Sequence, residues 1–322
     1  MKEPPPLVLF TDLTKYLSAL DDDTRAADES AIRALCAKEL PPVASTRSLG
    51  VLFGFRPQFI GTMRHRPRRY YNVFEIRKGR KKRRIQAPRV AIKIIQKWFG
   101  HYLSRAIEFP PHVVGFVPGR SSIEAASRHC QKDWIFSTDI ADCFQTTAAT
   151  DVIDSLVGLG YSETGAELIT DLNCLGGSLA QGSPASPVLA NLAMTRIDDA
   201  ISKMARRLQA TFTRYADDIV ISGIGKPPDT LRSEIEQIFR PTTWRIAEHK
   251  TRLVTAGDRM KVHGLLVHEE KPRLTKGYRR RIRAIRHLHE HGKIPESELA
   301  SALGHLAYAE SVENFGKEQA SR

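Results

Sequence analysis

Two adjacent aspartates, Asp217 and Asp218, follow Tyr215-Ala216 and precede the β-branched run Ile219-Val220-Ile221. Neighbouring carboxylates repel, and burying even part of such a pair is unfavourable without a strong positive partner. Their hard oxygens suit a divalent cation such as Mg²⁺. The apolar run reads as a strand and Phe212-Thr213 as its predecessor, which sets the acids at a tight hairpin turn. Taken alone, the pair reads equally well as a solvated surface turn, where Asp-Asp is common.

A third acid decides between these readings. The strand-like segment Trp134-Ile135-Phe136-Ser137-Thr138 runs straight into Asp139. A carboxylate at the end of a buried strand is poorly solvated and usually has a partner. With this strand beside the hairpin, Asp139, Asp217 and Asp218 make one acidic cluster. Such a cluster could hold two Mg²⁺ ions about 3.5–4 Å apart, the arrangement that clamps attacking and leaving oxygens in phosphoryl transfer. The alternative for Asp139 is to cap the helix that follows. Asp142 fits that capping or first-turn role better.

In order and spacing these residues resemble the motifs of reverse transcriptases. Tyr215 through Asp218 is similar to the family's catalytic box, and Asp139-Ile140 through Phe144 to its first acidic motif. Leu179-Ala180-Gln181-Gly182-Ser183-Pro184 through Asn191-Leu192 resembles the Gln-Gly loop and the helix after it. His249-Lys250-Thr251 resembles the lysine motif, and Val262-His263-Gly264-Leu265 the segment beyond it. The resemblance runs from roughly Thr46 to the C-terminus. Local features resemble the bacterial retron branch. Gly115-Phe116-Val117-Pro118-Gly119-Arg120-Ser121 is similar to Gly-Phe-x-x-Gly-Arg-Ser, and Ala125 through His129 to Asn-Ala-x-x-His, with Ala125 in place of Asn. Val262-His263-Gly264 resembles Val-Thr-Gly, with His263 in place of Thr. Both departures fall in elements linked to recognition of the cognate RNA.

The resemblance implies an α+β fold of right-hand polymerase architecture, with fingers, palm and a small helical thumb. The expected division is an N-terminal helical extension at 1–45, fingers at 46–136, palm at 137–268 and thumb at 269–322, with no RNase H domain. It implies attack of a primer hydroxyl on the α-phosphorus of a dNTP. Asp139 and Asp217 would ligate both Mg²⁺ ions, the Ile140 carbonyl would complete the nucleotide-side ion, and Asp218 would act less directly; Mn²⁺ could substitute. Arg83 would hold the triphosphate through bidentate hydrogen bonds, and Lys250 would stand near the leaving pyrophosphate, able to give it a proton. Phe144 would abut the sugar and leave no room for a 2′-hydroxyl, unless it is ordinary packing. Gln181 would touch the nucleotide, and Gly182 would allow close backbone approach to the template base. Arg120, His129 and Tyr215 are expected nucleic-acid contacts. As a retron enzyme, the chain would bind its own structured non-coding RNA and hold the cDNA made from it. It would prime from a guanosine 2′-hydroxyl and leave a branched RNA–DNA product. It would work with a separate effector protein in antiviral defence, and with host RNase H for removal of template RNA.

Charge supports an anionic partner independently. The 322 residues carry 49 Lys and Arg against 36 Asp and Glu, a formal net charge of +13. From Arg77 to Arg105 there are eleven basic residues and no acid, and from Lys271 to Lys293 nine against Glu290 alone. Two basic tracts flanking an acidic cluster suit a polymerase gripping a duplex, through Arg279, Arg280 and Arg283 in the second tract; a solvated helix face is the alternative. Cys36, Cys130, Cys143 and Cys174 are widely spaced, against zinc fingers or a disulfide framework and for a reducing, cytoplasmic setting. No apolar run suits a membrane span, and Met1 to Pro6 lacks a signal-peptide layout.

Residues 1 to about 45 are helical and charged, with Asp21-Asp22-Asp23 at a helix start. Ser45 to Arg69 reads as one packed helix with a basic exit. Tyr70 to Ile76 and Arg83 to Pro88 form a basic hairpin turning at Arg77-Lys78-Gly79-Arg80. A helix from Ala91 to Ile107 buries Ile92, Ile95, Trp98, Phe99 and Leu103, with Lys93 and Lys97 facing nucleic acid or solvent. Strands are expected at 134–138, 212–214, 219–222 and 265–267, and helices near 151–159, 163–175 and 187–208. A basic helix follows Arg273, then the apolar segment Leu299 to Tyr308. His287, His289 and His291 lie in this basic stretch, where a charged helix accounts for them better than a metal site. Readings of other kinds are a catalytically silent RNA-binding protein, a metal-dependent nuclease, and a stand-alone defence or group II intron-like reverse transcriptase. The intact acid set opposes the first. The Gln181-Gly182 loop, the basic hairpin and Phe144 have no role in the second.

Overall fold

The computed structural model describes residues 8–79 and 81–315. It opens with α1 (Leu13–Ser18) and α2 (Asp22–Ala37). Asp21 accepts a hydrogen bond from the Thr24 amide and caps α2, with Asp22 and Asp23 favoured in the first turn by the helix dipole. The single helix expected across 45–69 is instead two, α3 (Thr46–Phe53) and α4 (Pro57–His65). Gly54, at φ +68°, ends α3 in a left-handed turn, and Pro57 occupies a first-turn position that favours proline.

β1 (Tyr71–Lys78) and β2 (Lys81–Pro88) pair antiparallel from Tyr71 opposite Pro88 to Lys78 opposite Lys81; the expected hairpin is present, but its strands run further, with Arg77 and Lys78 in β1 and not in the turn. Arg80, expected in the turn, lies outside the described residues, as do 1–7 and 316–322. In α5 (Val90–Ala106) the five expected apolar residues join the largest core cluster. Next come α6 (Ser122–Ser127), β3 (Trp134–Asp139), α7 (Cys143–Thr146), α8 (Ala149–Leu159) and α9 (Glu163–Asn173). The helix expected from 187 to 208 is interrupted at Met194, whose ψ relaxes to −1°, giving α10 (Ser186–Ala193) and α11 (Thr195–Arg207). Each half then serves a different core. Val188 and Leu189 join the cluster of α5, whereas Ile197, Ile201 and Met204 join that of Phe136 and Ile221.

β4 (Thr211–Tyr215), β5 (Asp218–Gly223), α12 (Leu231–Phe239) and β6 (Arg252–Thr255) follow, and the central sheet has the order β4-β5-β3-β6 with antiparallel neighbours. Its fourth strand, β6, was not among the expected strands, and the expected 265–267 strand is present but outside this sheet. That segment lies in a separate three-stranded sheet of β7 (Lys261–Val262), β8 (Leu265–Leu266) and β9 (Arg273–Leu274), which the expected boundary at 268/269 would cut. The basic helix α13 (Lys276–Glu290), capped by Thr275, and α14 (Glu296–Asn314) complete the described chain. Period-two alternation gives the central sheet two apolar faces. Trp134, Phe136, Ile219 and Ile221 pack with α11 and α12, while Ile135 and Val220 share a core with Val262, Leu265, Leu274, Ile282, Ala309 and Val312. Among the described residues no helix is long and apolar enough to cross a membrane. All four cysteines are free, and burial pushes the Cys143 and Cys174 thiols up to about 12.

Candidate active site

The β4–β5 hairpin turns in two residues, Ala216 and Asp217, with Tyr215 opposite Asp218. Ala216 takes a left-handed φ of +58° to make the turn. On the other side of β5, Asp139 at the end of β3 stands directly opposite Asp218, and the Ile140 amide donates to the Asp217 carbonyl at 2.8 Å. Directly opposed residues share a sheet face, so backbone pairing brings the expected acids together. Lys250 donates to the Asp139 carboxylate, and its ammonium is held above its usual pKa by that hydrogen bond, with the charges of Asp139, Asp217 and Asp218 adding to it. One cation is the focus of three carboxylates.

The two opposed acids differ in environment. Burial lifts the Asp139 carboxyl above the usual carboxylate range; the Lys250 hydrogen bond works against this and the charge of Asp218 adds to it. Burial acts upward on Asp218 too, but the hydrogen bond and charge of His263, a hydrogen bond with Asp139 and the charge of Lys250 outweigh it. His263 Nδ1 lies 3.5 Å from Asp218 Oδ2, and its ring sits 5.1 Å from that of Tyr215. Among the described residues no three His, Cys, Asp or Glu side chains are grouped as a metal site. Asp142 stands at the start of α7 with φ +45° and makes no side-chain cap hydrogen bond, so the expected capping contact is absent.

Sequence reasoning missed the group that holds the hairpin in place. Arg214 is buried and donates to both carboxylate oxygens of Asp198 (2.7 and 2.6 Å), to Asn191 Oδ1 and to the Ala216 carbonyl, both 2.9 Å. Asn191 in turn donates to the Gly115 carbonyl at 2.9 Å. Gly115 lies so close to the turn that a Cβ there would overlap the Ala216 nitrogen. The available signal was a basic residue inside an apolar strand pattern, since a buried charge needs a partner.

Of the other expected site residues, Arg83, Lys93, Lys97, Arg279, Arg280 and Arg283 are exposed, and Tyr215 is half-buried beside Asp218. Phe144 is half-buried against the main core. Gln181 and Gly182 meet the hairpin: the Gln86 amide donates to the Gln181 carbonyl at 2.8 Å, and the Gln181 amide to Gln86 Oε1 at 3.0 Å. A Cβ on Gly182, whose φ is +143°, would stand 2.6 Å from the Gln86 carbonyl, so the close backbone approach it allows here is to β2. Two expectations need correction. The Arg120 guanidinium turns inward onto the carbonyls of Phe109, Pro110 and Val113, where it braces a loop and is not offered to phosphate. His129 is fully buried, its ring nitrogens hydrogen-bonded to the Ser222 and Thr213 hydroxyls at 2.6 and 2.7 Å, and so cannot touch nucleic acid.

His129 carries a pH prediction. Burial first, then electrostatic repulsion from His263, Lys132 and Arg128, push its pKa down to about 3. The unfolded chain binds this proton near the ordinary value of about 6.5, whereas the folded chain does not. The histidine's contribution to stability is therefore intact above that value and is lost as pH falls from there toward 3, by up to ~1.4 kcal/mol per pH unit. Denaturant titrations of the native chain and of His129→Gln between pH 7 and 4.5 should show a steeper loss in the native chain. Parallel slopes would refute the assignment.

Comparison with known proteins gives the family. Residues 76–279 match the family described as reverse transcriptase (RNA-dependent DNA polymerase). The retron Mx65 reverse transcriptase of Myxococcus xanthus is 30% identical, over 82% of this chain and 67% of that protein. The retron Ec86 reverse transcriptase of Escherichia coli is 29% identical, over 76% of this chain and 77% of that one. Among solved structures, telomerase from Candida albicans aligns with a TM-score of 0.44 at 10% identity, over 69% of this chain and 50% of that chain. The chain belongs to the reverse transcriptases, on their bacterial retron branch, and is an RNA-directed DNA polymerase.

Proposed function

We propose that this polymerase copies part of its own structured non-coding RNA into DNA from dNTPs, the branched product of a retron, and that it does so in antiphage defence beside a separate effector protein. The observation carrying the catalytic part is the backbone pairing of Asp139 with Asp218 and of Ile140 with Asp217. The cognate RNA and its cDNA as partners rest on the retron relatives. In this reading residues 46–136 are fingers, 137–268 palm and 269–322 thumb, and Arg279, Arg280 and Arg283 on α13 hold the duplex.

By their chemistry the three carboxylates suit Mg²⁺, with their side chains not yet grouped as one site among the described residues. Asp139 and Asp218 offer abutting hard oxygens, Asp217 adds its charge at the same ammonium, and Lys250 now compensates all three. Asp139, Asp217, Asp218 and the Ile140 carbonyl would hold two ions, which when bound lower the pKa of the primer hydroxyl and offset charge on the phosphoryl oxygens. The chain's own part is positioning. Arg83 on the hairpin reaches the triphosphate, Gln181 and Gly182 hold the nucleotide against the hairpin, Phe144 lies at the sugar, and Lys250 gives a proton to the departing pyrophosphate.

The test is to purify the protein from its native operon beside the Asp217→Ala/Asp218→Ala variant and sequence the nucleic acid that copurifies. DNA joined through a 2′–5′ branch to one RNA, absent from the variant, supports the reading. Unbranched DNA would remove the retron product in favour of a stand-alone defence or intron-like enzyme. DNA persisting in the variant would remove the aspartate pair from the chemistry.

A further inference from the structure

Phe116 is a large apolar residue with a left-handed backbone, φ +61°, and is 43% exposed. Bulky residues rarely adopt that conformation, and it persists only where the surroundings over-determine it. Here they do. The Val114 and Gly115 amides donate to the Arg214 carbonyl at 2.8 and 3.3 Å, Asn191 holds the Gly115 carbonyl, and Gly115 is wedged against the Ala216 backbone. On the far side the Arg120 guanidinium fixes the carbonyls at 109, 110 and 113, and the Arg120 amide closes onto Val117.

All this bracing does not bury the ring. It leaves the ring exposed, one residue from the contact that Gly115 makes with the Ala216 turn. There its nearest aromatic neighbour is Phe144, with ring centroids 6.3 Å apart at 37°. Phe144 is itself only half-buried, with the main core on one side. Phe144 thus has two neighbours that restrain its ring, the main core and Phe116.

We infer that Phe116 is a positioning residue for sugar selection: it holds the Phe144 ring in the orientation that excludes a 2′-hydroxyl. The inference rests on the reading of Phe144 as the residue beside the nucleotide sugar. It assigns selectivity to a pair of rings from two distant segments, one following β3 and one braced on the β4–β5 turn.

The experiment compares kcat/KM for a dNTP and the matching rNTP on a primed RNA template, in the native chain and in Phe116→Ala, Phe144→Ala and the double variant. Phe116→Ala should lower the dNTP-to-rNTP ratio roughly 10–100-fold, the range that small changes in pocket shape produce. The double variant should be no less selective than Phe144→Ala, because both act through one ring. Phe116→Tyr, which keeps the ring, should retain the native ratio. Should Phe116→Ala fail to fold, Phe116→Asn removes the ring with a residue that tolerates positive φ. A native ratio in Phe116→Ala or Phe116→Asn, with Phe144→Ala unselective, overturns the inference alone. Additive losses in the double variant overturn it too. A native ratio in Phe144→Ala overturns the sugar reading beneath it.

Discussion

Asparagine at position 139 should reduce single-nucleotide addition by roughly 10³-fold or more, since the ions this carboxylate would hold contribute several kcal/mol of charge stabilisation in the transition state. The substitution keeps size and hydrogen-bonding capacity, so β3 should still pair with β5 at Asp218. What changes is charge. Lys250 loses the carboxylate it is bonded to, and the three-acid focus becomes two. Asp217→Asn should show a loss of the same order. Asp218→Asn should lose less, because the Asp218 carboxylate is engaged by His263 and opposes Asp139 instead of meeting Lys250 first. Rapid-quench extension of a labelled primer measures this order directly. Asp139→Asn activity within tenfold of the native chain would end the case for the acidic cluster as the chemical centre.

Arg214→Met should destabilise the fold by about 3–5 kcal/mol, the range for breaking one partner out of a buried ion pair. Both side chains are almost wholly enclosed, at 1% and 2% exposure, so Asp198 would be left charged with no water to solvate it. Against total stabilities of about 5–15 kcal/mol this is a large fraction. The substitution also strips the Asn191 amide oxygen and the Ala216 carbonyl of a donor. Arg214→Met/Asp198→Leu should recover much of the loss, since an apolar pair can replace a buried ion pair at little net cost. It should not recover activity, because the Ala216 turn still lacks its brace. Urea midpoints read the first claim and primer extension the second. An Arg214→Met midpoint shift equivalent to less than about 1 kcal/mol would show that water reaches the pair.

The acids were legible because the features that place them are short-range. Continuous apolar runs fix β3 and β5, and the two-residue turn fixes where Asp217 and Asp218 sit. Contacts between distant segments were not legible in the same way. Nothing near Lys250 announces a carboxylate 111 residues upstream, and Arg214 and Asp198 find each other only once α11 packs on β4. β6 escaped notice because it is a short edge strand with a mostly exposed face, whereas 265–267 has the stronger apolar signal and forms a different sheet. His129 and Arg120 were misread for one reason: a polar side chain in a motif looks like a ligand contact until its hydrogen bonds are counted.

The apolar core beneath β7, β8 and β9 has a mechanical consequence. Ile135 and Val220 belong to the strands that carry Asp139 and Asp218, and they touch the same cluster as Ile282 on the basic helix α13. A hinged flap would have to open that cluster, at about 0.8 kcal/mol for each methylene exposed. The arginine row and the acids are thus parts of one stiff frame. A load placed on α13 passes into the strands that bear the acids through packed side chains, and the two should melt as a single cooperative unit.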